Sequence, residues 1–197
     1  QVHLHSQLLE QKVRERTHDL VRAQNETLQM LALAGEYRDD NTGLHARRVG
    51  ITSGLIAKLV GMEHHQVELI TQAATLHDIG KISIADSILL KPGKLTEEEY
   101  EAVKQHTIIG SRILSGSSSP MLQMAEEIAL YHHEHWDGSG YPDHLRGEDI
   151  PLGARILAVV DALDSLASPR DYRPARPLKD ALAYVVSEMG EVILGDW

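Results

Sequence analysis

Two adjacent pairs of metal-binding residue types are the most informative feature of the sequence. His77 is followed by Asp78, and His132 is followed by His133. Each pair lies where the apolar spacing predicts the end of a helix. Because consecutive helical residues diverge by about 100°, adjacent side chains reach one site only from a helix end. Imidazole and carboxylate groups together suit divalent Fe, Mn, Ni or Zn, and a carboxylate can bridge two ions.

Three further candidates lie singly on other predicted helices. His45 and His106 are flanked by apolar positions, and Asp161 interrupts an otherwise apolar helix. A lone histidine on a helix is usually a surface residue or a satisfied core residue. A buried carboxylate, in contrast, needs a partner, and a metal ion is one. Taken as a set, five histidines and two aspartates on five predicted helices are what a two-metal site for phosphoryl transfer in a bundle requires.

Composition restricts the classes of protein that fit. The 197 residues include 19 Lys and Arg and 29 Asp and Glu, a net charge of −10 with histidine neutral, so a nucleic-acid polymer is a poor partner. The absence of cysteine excludes disulfides, thiolate metal sites and cysteine nucleophiles. No apolar run approaches the ~20 residues of a membrane span, and no secretory signal is present. We therefore expect a cytoplasmic protein. Because the sequence starts at Gln1 rather than Met, we also expect it to be a piece of a longer protein.

Helical spacing of apolar residues predicts the elements that must position these side chains. Thr96 and Glu99 form a capping-box pattern at the start of one helix, Gly61 marks the end of another, and a glycine-rich loop covers residues 135–151. No strand alternation or internal repeat is present, so the sequence predicts an all-α helical bundle. Helices are predicted up to Val60 and over about 63–77, 96–114, 121–133, 153–167 and 177–189.

The N-terminal segment has a seven-residue periodicity instead. Over residues 1–34, positions spaced alternately by four and three are mostly apolar, and charges fill the other faces. Such heptads are typical of a two-stranded coiled coil, although Arg16 and Thr27 fall within the seam. We therefore expect a dimerisation helix at 1–34 and a separate domain at 35–197. The alternative is one amphipathic helix packed on its own domain.

A longer motif surrounds the second histidine pair. Residues 132–142 read HHEHWDGSGYP, and residues 150–156 read IPLGARI. These segments resemble the signature of HD-GYP domains, and HDIGK at 77–81 resembles the HD half of that signature. The resemblance covers about residues 33–190. It implies an all-helical fold of the HD-domain type and a bacterial metal-dependent phosphodiesterase that converts cyclic di-GMP to linear pGpG or GMP, with cyclic GMP-AMP preferred by some members.

The resemblance also implies roles for individual residues. Two divalent ions, iron first and Mn, Ni or Zn as alternatives, would share Asp78 as a bridging ligand. Lys81 matches a lysine near the scissile phosphate, and Arg170 with Arg173 matches a cationic pair that contacts the substrate. Tyr141, Gly138 and Gly140 match the GYP loop. The implied metal ligands are His45, His77, Asp78, His106, His132, His133 and Asp161.

Three positions depart from the family pattern. Some members bind a third metal through a carboxylate one helical turn before the first histidine, but that position is Asn41, so we expect two metals. Residues 169–173 read PRDYR where the family often has DRPYR, which changes the backbone and charge around both arginines. The end of the chain, 191–197, also differs. For three of these residues an alternative role stays open. Lys81 could instead be a partner of a helix dipole, and Arg170 and Arg173 could be a solvated surface pair.

The same resemblance suggests partners and alternatives. The segment 11–17, QKVRERT, is similar to signalling helices that follow receiver or sensory domains, so we expect such a domain upstream, a homodimer, and a GGDEF-domain protein as a further partner. One alternative function is an inactive cyclic-dinucleotide sensor or interaction module. Another is an HD phosphohydrolase that acts on a different nucleotide, such as cyclic GMP-AMP.

Overall fold

The computed structural model describes residues 2–36, 44–168 and 175–188. Within these ranges the chain is helical and contains no strand, which confirms the predicted all-α fold. Three 3-10 turns, at Ala74–Leu76, Ile79–Ser83 and Gly147–Asp149, interrupt the α-helices. The α-helices are α1 (Val2–Glu36), α2 (Leu44–Leu59), α3 (His64–Ala73), α4 (Asp86–Leu89), α5 (Glu97–Leu114), α6 (Pro120–Tyr131), α7 (Leu152–Ala167) and α8 (Leu178–Glu188).

Local sequence signals account for several helix ends. Gly61 has a φ of +84°, and its amide donates to the carbonyl of Lys58 while the amide of Met62 donates to Ala57. These two bonds are the Schellman pattern that ends α2. The capping box of α5 forms as predicted, since the Thr96 amide donates to a Glu99 carboxylate oxygen at 2.7 Å and the Glu99 amide donates to the Thr96 hydroxyl at 3.3 Å.

The core lies among α2, α3, α6 and α7, and aliphatic side chains fill it. Its largest fully buried residues include Ile70, Ile128 and Leu157, which agrees with the absence of phenylalanine from the sequence. Alanines at other core positions allow the helix axes to approach closely. They include Ala57, Ala73, Ala74, Ala125 and Ala129.

The turn that follows Asp78 is pressed against α5. A Cβ atom on Gly80 would overlap the carbonyl oxygen of His106 and lie 2.6 Å from the amide nitrogen of Gly110. Only glycine allows this approach of two backbones. The contact brings Asp78 to the same level of the bundle as His106.

Helix α1 joins this core only near its C-terminal end. Ala32 is 4% exposed, and Leu28 packs against the core. Earlier apolar side chains project into solvent, among them Val13 and Leu20, the latter 71% exposed. The predicted N-terminal helix is therefore confirmed, whereas its pairing and the domain boundary after residue 34 stay predictions. Within the described residues, no helix combines the length and apolar character that crossing a bilayer demands.

Candidate metal centre

Six of the seven predicted metal ligands gather in two clusters of three. Within each cluster the candidate ligand atoms all lie within 4.8 Å of one another. Every histidine of the two clusters except His133 is buried, while His133 and Asp161 are partly exposed. We name them cluster A, formed by His45, His77 and Asp161, and cluster B, formed by His106, His132 and His133.

The seventh residue, Asp78, lies between the clusters. Its Oδ2 atom is 3.2 Å from Nε2 of His77 in cluster A. Its Oδ1 atom is 3.4 Å from Nε2 of His106 and 3.9 Å from Nε2 of His132, both in cluster B. One carboxylate therefore presents one oxygen to each cluster, which is the arrangement a bridging ligand needs.

Some of these candidate ligands lie on α-helices and the others lie in turns that follow helices. His45 lies in the first turn of α2, His106 on α5 and Asp161 on α7. The two adjacent pairs lie in turns just beyond α-helical segments, rather than within the helices predicted over 63–77 and 121–133. His77 and His132 are the C-cap residues of the 3-10 turn Ala74–Leu76 and of α6, so each pair reaches the site from a helix end, as the sequence predicts.

Three of the histidines have a fixed tautomer. Each places Nδ1 on a main-chain carbonyl three or four residues earlier, at 2.9 Å for His77, 2.6 Å for His106 and 3.0 Å for His132. Since a carbonyl oxygen only accepts, Nδ1 carries the proton and donates it. The Nε2 atom of each ring is then left with a lone pair, which is the form that binds a metal.

These lone pairs face other acceptors. Nε2 of His106 lies 3.3 Å from Nε2 of His132. Nε2 of His77 is buried without a hydrogen-bond partner among the described residues, and the nearest carboxylate oxygen to it belongs to Asp78. Opposed acceptor atoms at these distances repel unless a cation lies between them. The chemistry of both clusters therefore fits divalent metal ions.

Electrostatics in the protein keep the ligands in their metal-binding forms. Burial lowers the pKa of His106, and lowers that of His132 further with help from neighbouring imidazoles. Burial also lowers the pKa of His133 to about 4. The pKa of Asp78 lies well below its usual value, because the charges of Lys81 and His77 outweigh the effect of burial. Cluster B is thus neutral and Asp78 is a carboxylate near pH 7.

His77 differs from the other buried histidines. Burial alone would lower its pKa, but the adjacent Asp78 carboxylate outweighs burial and raises the pKa above the ordinary value. The site therefore attracts positive charge at this position. A metal ion bound by Nε2 would supply that charge.

A second carboxylate, which sequence reasoning missed, supports His45. The His45 ring places Nε2 3.3 Å from Asp161 and Nδ1 2.8 Å from Oδ2 of Asp164. Arg48 donates two hydrogen bonds to Asp164, at 2.6 and 2.8 Å. The sequence spacing could have indicated Asp164, because Asp161 and Asp164 are three residues apart on α7 and so share a helical face.

Lys81 and the GYP loop lie beside the clusters. The Lys81 ammonium is 2.8 Å from Oδ2 of Asp78. The Tyr141 ring stacks on His133 with centroids 4.8 Å apart. A Cβ atom on Gly140 would overlap the His133 carbonyl oxygen, and Gly138 has a φ of +78°, so both glycines are needed for the loop to fold back onto cluster B.

Glu134 organises the far side of this loop and was not singled out from the sequence. It is buried. Its carboxylate accepts hydrogen bonds from the amides of Asp143 at 2.7 Å and Leu145 at 3.1 Å. Arg170, Arg173 and Asn41, which carried three of the predictions, lie outside the described residues.

Comparisons with known proteins place this arrangement in context. A family model described as "HD domain" matches residues 27–194. The chain is 47% identical to the cyclic di-GMP phosphodiesterase response regulator RpfG of Xanthomonas campestris, over 93% of this chain and 49% of that protein. It is 52% identical to a cyclic di-GMP phosphodiesterase of Thermotoga maritima, over 85% and 45%. The chain thus spans about half the length of these relatives.

Two further matches concern substrate range and fold. The chain is 43% identical to a 3'3'-cGAMP-specific phosphodiesterase of Vibrio cholerae, over 79% of this chain and 30% of that protein. Among solved structures it is similar to Bd1817, an HDG"Y"P protein of Bdellovibrio bacteriovorus, with a TM-score of 0.56 and 21% identity over 74% of this chain and 46% of the other. At that identity the second match supports the fold alone.

Proposed function

This chain belongs to the HD domain family in its HD-GYP form, and we propose that it is the catalytic part of a metal-dependent phosphodiesterase that hydrolyses cyclic di-GMP to linear pGpG, GMP or both. The observation that carries the proposal is the pair of three-ligand clusters with Asp78 between them. Relatives named cyclic di-GMP phosphodiesterases, 47% and 52% identical, support the same substrate.

The two clusters suggest how metal would be held. Cluster A would bind one divalent ion and cluster B a second, with Asp78 shared. We propose iron for both positions, with Mn, Ni or Zn as alternatives, and two ions rather than three because Asn41 is a poor anionic ligand. Bound there, the ions would supply the Lewis acidity and the positive charge that phosphodiester hydrolysis requires.

The protein's own residues would orient and neutralise the substrate. The chain has a net charge of −10, so an anionic phosphodiester needs local cations. Lys81, held at 2.8 Å from Asp78, would place an ammonium next to the oxygens that gain charge in the transition state. Tyr141 would bring its hydroxyl to the site from its stack on His133. Arg170 and Arg173 would bind the phosphates or a guanine.

Cyclic GMP-AMP is the second candidate substrate. A cGAMP-specific relative is 43% identical over 79% of the chain, so the metal site alone does not select one cyclic dinucleotide. An inactive sensor is the rival from another class. The presence of all seven candidate ligands in facing positions argues against it, since a binding module has no need for them.

The N-terminal helix suggests a regulated dimer. We propose that α1 pairs in parallel with the same helix of a second copy and connects the catalytic bundle to an upstream receiver or sensory domain in the cytoplasm. The heptads, the exposed apolar stripe and the response-regulator name of one relative support this proposal. A GGDEF-domain protein remains the proposed further partner.

Product analysis tests the proposed activity. The chain is reconstituted with ferrous iron without oxygen, offered cyclic di-GMP or cyclic GMP-AMP separately, and sampled by chromatography. We expect pGpG or GMP from the first substrate. Stoichiometric metal uptake without any product from either substrate would overturn the enzyme assignment in favour of a binding role.

A matched pair of histidine variants tests the metal site. His77→Ala should abolish both metal uptake and turnover. His64→Ala is the control, because the His64 side chain is 89% exposed and lies 3.6 Å from the carboxylate of Glu68, away from both clusters. Full turnover by His77→Ala with no bound metal would contradict the proposed mechanism.

A further inference from the structure

An aromatic ledge extends from cluster B to the protein surface. His106 and His133 have ring centroids 5.2 Å apart, and Tyr141 stacks on His133. The next ring outward is Tyr100, whose centroid is 6.5 Å from that of Tyr141 in an edge-to-face arrangement. Tyr100 is 46% exposed, so the series of rings ends with an aromatic surface open to solvent.

Lys104 holds the two tyrosines of the ledge together. It lies one helical turn after Tyr100 on α5, and its ammonium is 4.9 Å from the Tyr100 centroid and 5.4 Å from the Tyr141 centroid. Such contacts between a cation and aromatic faces are attractive. Lys104 also pairs with Glu101 at 2.6 Å, and this pairing largely balances the charge of the ledge.

We propose that Tyr100 is a substrate-binding residue that stacks on a purine base of the cyclic dinucleotide. This inference rests on the proposed function. When one phosphodiester of a cyclic dinucleotide faces the metal clusters, its bases must extend outward along the walls of the site. The ledge begins at a candidate metal ligand and ends on an exposed ring, so it lies on such a wall.

The chemistry of the ledge favours a base over the second phosphate. Lys104 is already paired with Glu101, and an anion would have to compete with that carboxylate. The uncharged face of a purine meets no such competition, and stacking on an aromatic side chain accepts any purine. Tyr100 would therefore strengthen binding without selecting guanine over adenine.

Binding and turnover of matched variants test the inference. Binding of a hydrolysis-resistant bis-phosphorothioate analogue of cyclic di-GMP to the metal-loaded chain is measured by calorimetry, and KM and kcat by chromatography. Tyr100→Ala should weaken binding and raise KM about tenfold, with kcat and metal content within about twofold of wild type. Tyr100→Phe should restore the binding affinity and KM to their wild-type values, because stacking needs the ring and not the hydroxyl.

Tyr184→Ala is the control. Tyr184 is a similarly exposed tyrosine on α8, where it packs on Arg176, and its variant should bind as wild type does. If the wild-type chain binds the analogue and Tyr100→Ala binds it with the same affinity, the role of Tyr100 is overturned and the proposed function stands. A wild-type chain that neither binds the analogue nor hydrolyses either cyclic dinucleotide overturns the proposed function, and the role of Tyr100 with it.

Discussion

The carboxylate of Asp164 lies 2.8 Å from Nδ1 of His45, on the opposite side of the imidazole from the candidate ligand Asp161. Burial would raise the pKa of Asp164, but the hydrogen bonds from Arg48 and His45 outweigh it and hold that pKa well below the usual range. Asp164 is therefore charged. It fixes the ring orientation of His45 and increases its basicity as a ligand, whereas the Nδ1 atoms of His77, His106 and His132 donate to neutral main-chain carbonyls.

Asp164→Asn should therefore weaken metal binding at cluster A more than at cluster B. The expected loss is about 10–100-fold in affinity for one of two ions, because the neutral amide no longer balances the charge of Arg48 and increases the basicity of His45 less than a carboxylate does. Competition with a chromophoric chelator measures both affinities. Asp180→Asn, at an exposed position on α8, is the control. Two ions bound with wild-type affinity would contradict the positioning role of Asp164.

Glu134→Ala should destabilise the protein through the GYP loop. The variant removes the buried carboxylate that accepts hydrogen bonds from the amides of Asp143 and Leu145, and a hydrogen bond to a charged group contributes about 1.5–3 kcal/mol. Urea unfolding should show a free energy of unfolding lower by about 2 kcal/mol or more. Glu127→Ala, at an exposed position on α6, should change it little. Equal stability of the two variants would show that Glu134 does not hold the loop.

Gly80→Ala tests the backbone contact that sets Asp78 beside His106. The new methyl group would overlap the His106 carbonyl oxygen, and a backbone atom cannot rotate away. We expect a loss of about 3 kcal/mol or more in the free energy of unfolding, together with weaker metal binding. In Gly153→Ala the methyl group meets the side chains of Ile128 at 3.3 Å and Ile70 at 3.9 Å, which can shift slightly, so that variant should remain close to wild type. Tolerance of Gly80→Ala would mean that the two backbones separate at little cost.

Residue type and local spacing were sufficient to predict much of this site. The capping box at Thr96 is a local pattern, and it formed as predicted. The two adjacent pairs were informative because few structures other than a metal site bring His77, Asp78, His132 and His133 into contact. The all-α fold followed from the helical spacing of apolar residues after residue 35, the heptads before it and the absence of strand alternation.

The residues that were missed act across elements. Arg48 and Asp164 meet only because α2 packs on α7, and no local pattern encodes that pairing. Glu134 stood within the recognised motif, yet its role depends on a loop that returns to it nine and eleven residues later. Tyr100 reads from the sequence as an ordinary surface residue, and only the fold places it beside Tyr141.

A test of whether α1 pairs with a second copy needs a variant that leaves the core intact. Deletion of residues 1–34 would test the predicted coiled coil, but it would also remove Ala32, which is 4% exposed. Val13→Lys with Leu20→Lys is sharper, because both side chains lie on the exposed apolar stripe and in the heptad seam. Lysines facing each other across a coiled-coil seam repel and lose the apolar contact.

Light scattering over a dilution series should therefore show a dimer for the wild-type chain and a monomer for the seam variant. Gln11→Lys with His18→Lys is the matched control, because it adds the same two charges to exposed positions of the same helix outside the seam. The control should remain dimeric. If the seam variant dimerises as tightly as the control, the prediction of a coiled coil is wrong, since the dimer interface would then have to lie elsewhere than on α1.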